Sequence, residues 1–272
     1  MPRKSMGLGY WLPLFLVILI GFDVPILFLI GWSFGGPFPT FANYETLFGS
    51  SAYLRIYANT FYVSAIVTLV CIILGYPLAY WMTKLGERQQ SVAIVLVLLS
   101  FWISVLVRTY AWIVILGNGG IVNRILQAYG LTETPVSFLY NVTGVTIGMV
   151  NILLPYLVLL LYASMRRIDM RLIVAAKSLG ASDATAFAKV FFPLSAPALA
   201  AGSVLVFILS LGFFVTPAIL GGGRVIFISN MLDLLINALP RWGLAASASV
   251  VLLAITLALY AVSRRLNVGN VA

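Results

Sequence analysis

The residues of this chain that could do chemistry are few, and they exclude more than they offer. The stretch GWSFG (31–35) sets Ser33 in the G-x-S-x-G spacing of an activated serine, yet the 272 residues contain no histidine to take its proton. It also closes an apolar run and follows no strand, so a nucleophile is not expected there. GGGR (221–224) has the glycine density of a phosphate loop, but no G-K-[ST] follows it. The single cysteine, Cys71, lies inside an apolar run, which leaves no disulfide framework, and no His or Cys cluster offers a metal site. Two ionisable residues, Asp23 and Arg108, fall within apolar runs. Charges at such depth normally face a bundle interior or water. Asp23 could attract a cationic amine, with Tyr110 and Trp112 supplying aromatic faces, whereas Arg108 would welcome a carboxylate. A mutual ion pair, or an arginine reaching out to the headgroups, explains the same residues.

Charge is concentrated elsewhere. Only 8% of the chain is charged, yet the segment from Arg166 to Lys189 holds seven of its 23 charged residues. Within it, VAAKSLGASDATAFAKVFFPL (174–194) reads as a helix, a turn and a second helix. Gly180 can supply a sharp reversal, Ser182 with Asp183 an N-cap, and Pro193 suits the first turn of a following helix. Small Ala175, Ala176 and Ala181, beside apolar Leu179 and Phe187, make either a docking surface for another protein or a connector resting on lipid headgroups.

The elements that must position these residues are membrane helices. Hydrophobic residues make up 62% of the chain, and the mean hydropathy is +1.09, well above the range of a water-soluble domain. Six stretches reach the roughly 20 apolar residues that cross a bilayer: about 11–32, 57–81, 91–116, 142–163, 194–220 and 243–262. None alternates as a barrel strand would. The expected class is all-α, a single polytopic domain of six transmembrane helices with a cytoplasmic loop over 164–193. The first span, after Arg3 and Lys4, reads as an uncleaved anchor because no A-x-A-like site follows it.

With the amino terminus inside, eleven Lys and Arg fall in inner connectors and four in outer ones, so both termini are expected in the cytoplasm. The net charge of +9 is thereby assigned to topology and not to nucleic acid, which would need a basic face. VIFISNMLDLLINAL (225–239) is short and carries Asn230, Asp233 and Asn237, so an amphipathic helix at the outer surface is expected in place of a seventh span. Phe41, Tyr44, Leu47 and Phe48 predict a short helix in the first outer loop. Pro25, Pro77, Pro155 and Pro217 fall inside spans, where each removes a backbone hydrogen bond, and Gly144 with Gly148 forms a close-packing GxxxG pair.

Ala175 and Ala176, three residues, Gly180, nine residues and then Val190, Phe191, Phe192 and Pro193 resemble the E-A-A, G, I-x-L-P pattern of bacterial ABC importer permeases. Val174 stands at the glutamate and Phe192 at the leucine. PILFLIGWSF (25–34), GYPLAYW (75–81), LVRTYAW (106–112) and FVTPAILGGGR (214–224) are similar to the spermidine/putrescine branch, whose relatives also import iron(III), opines, thiamine or phosphonates.

The resemblance implies the type I importer permease fold in the bacterial inner membrane. The chain would pair with a second permease subunit, a different chain in preference to a second copy. It would carry no catalytic site of its own, with ATP and Mg held by partner ATPase subunits, and would receive a small solute, foremost a polyamine, from a periplasmic binding protein. Arg171, Ala175, Ala176, Gly180, Ala181, Ser182, Asp183 and Pro193 would then couple to the ATPase. Glu45, Glu133 and Asp233 would be available to the binding protein.

Overall fold

The computed structural model describes residues 12–35 and 39–268, and among them there is no strand. The helices in chain order are α1 (Leu12–Ile18), α2 (Val24–Ser33), α3 (Ala42–Gly49), α4 (Ser51–Thr83), α5 (Glu87–Trp102), α6 (Val105–Leu116) and α7 (Ile121–Ala128). They continue with α8 (Val142–Met165), α9 (Met170–Ser178), α10 (Asp183–Ala186), α11 (Phe192–Leu211), α12 (Val215–Leu220), α13 (Ile228–Asp233) and α14 (Trp242–Val268). Six stretches among the described residues are long and apolar enough to cross a membrane: Phe15–Ser33, Ser51–Thr83, Val105–Ala128, Val142–Met165, Asp183–Leu211 and Trp242–Ala261.

Two of the expected spans differ. The run 91–116 is broken at Ile103 and Ser104, which are extended and separate α5 from α6. The run 194–220 starts earlier, at Asp183, and stops at Leu211, with Gly212–Phe214 separating α11 from α12. Continuous hydropathy hides both breaks, because a broken helix whose freed groups are answered by protein is as apolar as an intact one. Pro217 therefore lies in the first turn of α12, where its missing N–H leaves no bond unmade, and not inside a span.

Among the described residues three π turns punctuate the helices, and each ends two residues before a proline. Val24, Phe192 and Leu239 donate their N–H to the carbonyls five residues back, at Leu19, Phe187 and Leu234, just before Pro25, Pro193 and Pro240. A proline ring collides with the carbonyl four residues back, and the wider turn moves that carbonyl aside. Pro77 and Pro155 sit in unbroken α-helix, so a proline alone does not force the turn.

The chain divides into two compact units. The larger, 56–230 with the end of α14, is built around α8, which packs against α11, α12, α5 and α6. Val63, Val67 and Cys71 of α4 and Met149, Leu153, Leu157 and Leu161 of α8 lie in its buried core. Gly148 is the close approach: a Cβ there would stand 2.5 Å from Leu220 and 2.7 Å from Thr216 of α12. The smaller unit takes the chain up to Arg55 together with Met231–Ile255. There Ser33 is buried, its hydroxyl 2.7 Å from the Tyr44 hydroxyl and donating to the Ile30 carbonyl at 2.6 Å. That serine is a packing residue between α2 and α3.

The expected helix near 41–48 is α3, with Leu47 buried and Phe41 and Phe48 exposed. The 225–239 stretch is not among the six candidate spans, and it is amphipathic: Asp233, Leu234, Asn237 and Leu239 are exposed on one side, and protein covers the other. Val225, Phe227, Ile228, Met231 and Leu235 are all buried in protein. Its apolar side reads identically in sequence whether lipid or protein covers it.

Gly148→Leu is expected to lower the stability of the detergent-solubilised protein by about 1–3 kcal/mol through overpacking against α12. Gly21→Leu, where a side chain meets nothing within 4 Å, should leave the melting temperature unchanged in the same assay.

Candidate functional site

The charged connector folds into a hook. Asp169 caps α9, its carboxylate accepting the Arg171 N–H at 2.9 Å. At the other end Gly180 takes φ +88°, a backbone region that side chains disfavour. The Gly180 N–H then bonds the Lys177 carbonyl at 2.9 Å and the Ala181 N–H bonds the Ala176 carbonyl at 3.0 Å, a Schellman closure that reverses the chain. Ser182 caps the next helix by accepting the Thr185 N–H at 3.2 Å. Lys177 and Asp183 form an ion pair across the bend. The two are half and almost fully exposed, so the pair orients the bend more than it stabilises it.

The helix that begins at Asp183 does not stop before the span but runs on through the π turn Phe187–Phe191 into α11, with Pro193 in the first turn after it. The hook is therefore one rod with the membrane helix. Phe187, expected at the docking surface, instead turns inward. Its ring centroid lies 5.0 Å from that of Tyr80, and the Phe191 ring lies 4.8 Å from the same tyrosine, both in edge contact. Tyr76 adds an edge contact to Phe187 and a 2.8 Å bond between its hydroxyl and that of Ser195 on α11. Lys84 covers Tyr80 at 4.2 Å. A nearby tie joins Tyr162 of α8 to Gln90 of α5 at 3.0 Å.

Outward, the hook presents apolar groups. Leu179 is 89% exposed and Val174 62%, and Arg171, Ala175, Gly180, Ser182, Asp183 and Pro193 are exposed beside them or along the rod. Ala176 and Ala181 are half-buried, with Ala186 fully buried below. Exposed leucine and valine on a segment fastened so firmly from behind are the features of a docking face.

The four residues considered for a solute pathway fall in two units. Asp23 is exposed at the end of the first π turn, in the smaller unit. The other three lie on α6 of the larger unit. Arg108 borders a cavity of about 420 Å³ at the α5–α6 break, Tyr110 points away as an exposed side chain, and Trp112 borders a separate groove. That groove, about 750 Å³, runs between α4, α6 and α8. Tyr62, Trp112, Thr143, Thr146 and Asn151 punctuate an otherwise aliphatic wall, and the Thr146 hydroxyl is buried with no partner. Neutral oxygens and two aromatic faces on an apolar wall suit a methylene chain bearing ammonium groups. Glu45, Glu133 and Asp233 are all exposed, and Asp233 accepts a bond from Asn237 at 2.7 Å.

Spermidine/putrescine transport system permease protein PotB of Haemophilus influenzae is 34% identical to this chain over 256 residues, covering 92% of this chain and 89% of that protein. The chain belongs to the PotB permease family. PotB of Escherichia coli strain K12 is 31% identical over 250 residues, 89% of this chain and 88% of that protein. Among solved structures, a chain of the bacterial alginate ABC transporter in complex with alginate pentasaccharide-bound periplasmic protein superposes with a TM-score of 0.80. It is 22% identical and covers 95% of this chain and 94% of its own. The six-helix permease fold is thus common to both. No family model matches the chain.

Several polar residues of this PotB-family chain escaped sequence reasoning. Asn123 is fully buried and makes three bonds, to the Gly117 carbonyl and to both the carbonyl and the N–H of Val136, which fold the 117–136 loop back on itself. Thr109 meets Thr216 at 3.3 Å, and Ser210 donates to Ser64 at 2.9 Å, each joining two helices. A buried Asn beginning a short amphipathic helix was the one available signal; single Ser and Thr in apolar runs carry none.

Gly180→Val should strain the bend by about 1–2 kcal/mol, because a β-branched side chain resists the left-handed region. Amide hydrogen exchange at Leu179–Ala181 is then expected to rise about 5–30-fold while exchange in α8 stays unchanged.

Proposed function

We propose that this chain is a permease subunit of a binding-protein-dependent ABC importer whose solute is a polyamine or a closely related amine. The near-full-length match to PotB proteins carries the reading. The groove lined by Tyr62, Trp112, Thr146 and Asn151 supports the amine, since it offers ring faces and neutral oxygens without a cation of its own.

In this reading the protein sits in the bacterial inner membrane with both termini in the cytoplasm, and the hook from Met170 to Ala186 lies on the cytoplasmic side. A second, different permease chain completes the pathway. ATP-binding subunits carry ATP and Mg below, and this chain contributes neither a nucleotide site nor a catalytic one. A periplasmic solute-binding protein docks above, where Glu45, Glu133 and Asp233 are available to it, and lipid surrounds the remaining faces.

The mechanism follows from the hook being continuous with α11. Closure of the ATP-binding pair displaces Leu179, Val174 and the small residues Ala175, Ala176 and Ala181 seated in its groove. The Gly180 closure and the Ser182 cap keep the hook from unwinding, with Arg171 and Asp183 as polar contacts at its edges. The rod beginning at Asp183 and held at Pro193 turns with it, and the attached helices rock between inward and outward access.

The test is uptake of radiolabelled putrescine into proteoliposomes that hold the complete importer with its binding protein. ATP-dependent accumulation is expected, and Gly180→Trp should abolish it while membrane insertion stays normal. Wild-type vesicles that fail to accumulate putrescine or spermidine would overturn the cargo. Normal uptake by Gly180→Trp would overturn the coupling.

A further inference from the structure

Two spans of the larger unit are interrupted, and the two interruptions are treated differently. At Gly212–Phe214 the freed carbonyls are answered from within the chain: Ser229 donates to Phe213 at 2.6 Å and Asn230 to Phe214 at 3.2 Å. At Ile103–Ser104 the first intrahelical bond of α6 is Arg108 N–H to the Ser104 carbonyl, and the guanidinium one turn into the helix has a buried Nε with no hydrogen-bond partner. The break, Arg108 and Tyr156 of α8 surround the 420 Å³ cavity, and Phe213 of the other interruption closes its far wall. A guanidinium donates only, so what is missing is an acceptor, and a negatively charged one suits it best.

Depth limits where that acceptor comes from. Tyr156, on the cavity wall, lies about 21 Å along α8 from Val142 and about 14 Å from Met165, at 1.5 Å per residue. That is the middle of a helix that crosses the membrane, out of reach of lipid phosphates at either surface. The solute is an unsuitable source if it is an amine, because a cationic cargo is repelled by the guanidinium; to that extent the inference rests on the proposed function. The rim points the same way. Trp102, which is 87% exposed, and the exposed Ile103 both border the cavity with the cation. An exposed tryptophan beside a half-buried arginine has the composition of a protein interface, where both types are enriched.

We infer that the cavity at the α5–α6 break receives an acidic side chain from a transmembrane helix of the second permease subunit, with Arg108 as its counter-ion. Arg108 is then an assembly residue and not part of the solute path. Asp23 of this chain also falls within a span, in the smaller unit.

The experiment is copurification of the second permease subunit with a tagged form of this chain, from membranes expressing all subunits. Arg108→Glu should reduce the recovered partner at least tenfold and Arg108→Lys much less. Changing one Asp or Glu in the partner's spans to Arg should restore assembly with Arg108→Glu. A cysteine at that partner position should be joined to Arg108→Cys by a short bifunctional thiol cross-linker in the otherwise wild-type complex, since an arginine and its acid hold their backbones too far apart for a direct disulfide. The inference is overturned if Arg108→Glu assembles at wild-type yield and alters only uptake of acidic solutes. It is also overturned if no partner acid restores assembly, or if Asp23→Arg in this chain does. Assembly is read without cargo, so a wrong solute class leaves this result intact, and failure here leaves putrescine uptake by the wild-type importer standing.

Discussion

Force can pass through a short surface helix only if that helix is fastened to what it must move, and here the fastening is one tyrosine. Tyr80, near the end of α4, has the rings of Phe187 and Phe191 against it, and Tyr76 one turn earlier reinforces the contact through its ring and its bond to Ser195. Edge-to-face aromatic pairs contribute about 0.5–1.5 kcal/mol each beyond the area they bury, so the cluster resists peeling of the hook from the spans. Phe187 and Phe191, four residues apart, share one face of their helical turn, where their rings lie 18° from parallel and both reach Tyr80.

The same economy of backbone governs the rest of the larger unit. In hydrocarbon every freed N–H and C=O must find a partner, so an interruption survives only where protein supplies one. Ser229 and Asn230 do this at the 212–214 break, and Thr60 takes the Ile228 N–H just ahead of them at 3.0 Å. Short polar contacts, Thr109 to Thr216 and Ser64 to Ser210, then tie the broken pieces to α6 and α4 without introducing a charge. Such bonds are individually modest in membranes, about 0.6 kcal/mol on average, which suits elements that must slide past one another in a transport cycle.

Much of this was legible in the sequence. The Gly180 reversal, the Ser182 cap and the position of Pro193 could be read from spacing because each is a local backbone requirement that few residue types satisfy. The helix at 42–49 and the close approach at Gly148 were legible for the same reason. What could not be read is direction. Phe187 looks equally apolar whether it faces a partner or Tyr80, and 225–239 looks amphipathic whether lipid or protein lies beneath it. Hydropathy also joined α5 to α6 and α11 to α12, since Ile103, Ser104, Gly212 and Phe213 are ordinary membrane residues and only their backbone angles set them apart. Asp23, Arg108, Tyr110 and Trp112 were grouped by type and depth. On α6 the fold parts Arg108 from Trp112, because helix rotation and not sequence distance decides which wall a side chain joins.

The central claim is mechanical, that the exposed tip of the hook is the point at which the ATP-binding subunits take hold. Labelling of Leu179→Cys by a membrane-impermeant maleimide, in inside-out vesicles with Cys71 replaced by alanine, measures this directly. Rapid modification of the permeases alone, slowed at least tenfold once the ATP-binding subunits are assembled, is the predicted result. Equal rates with and without those subunits, or modification only in right-side-out vesicles, would contradict it.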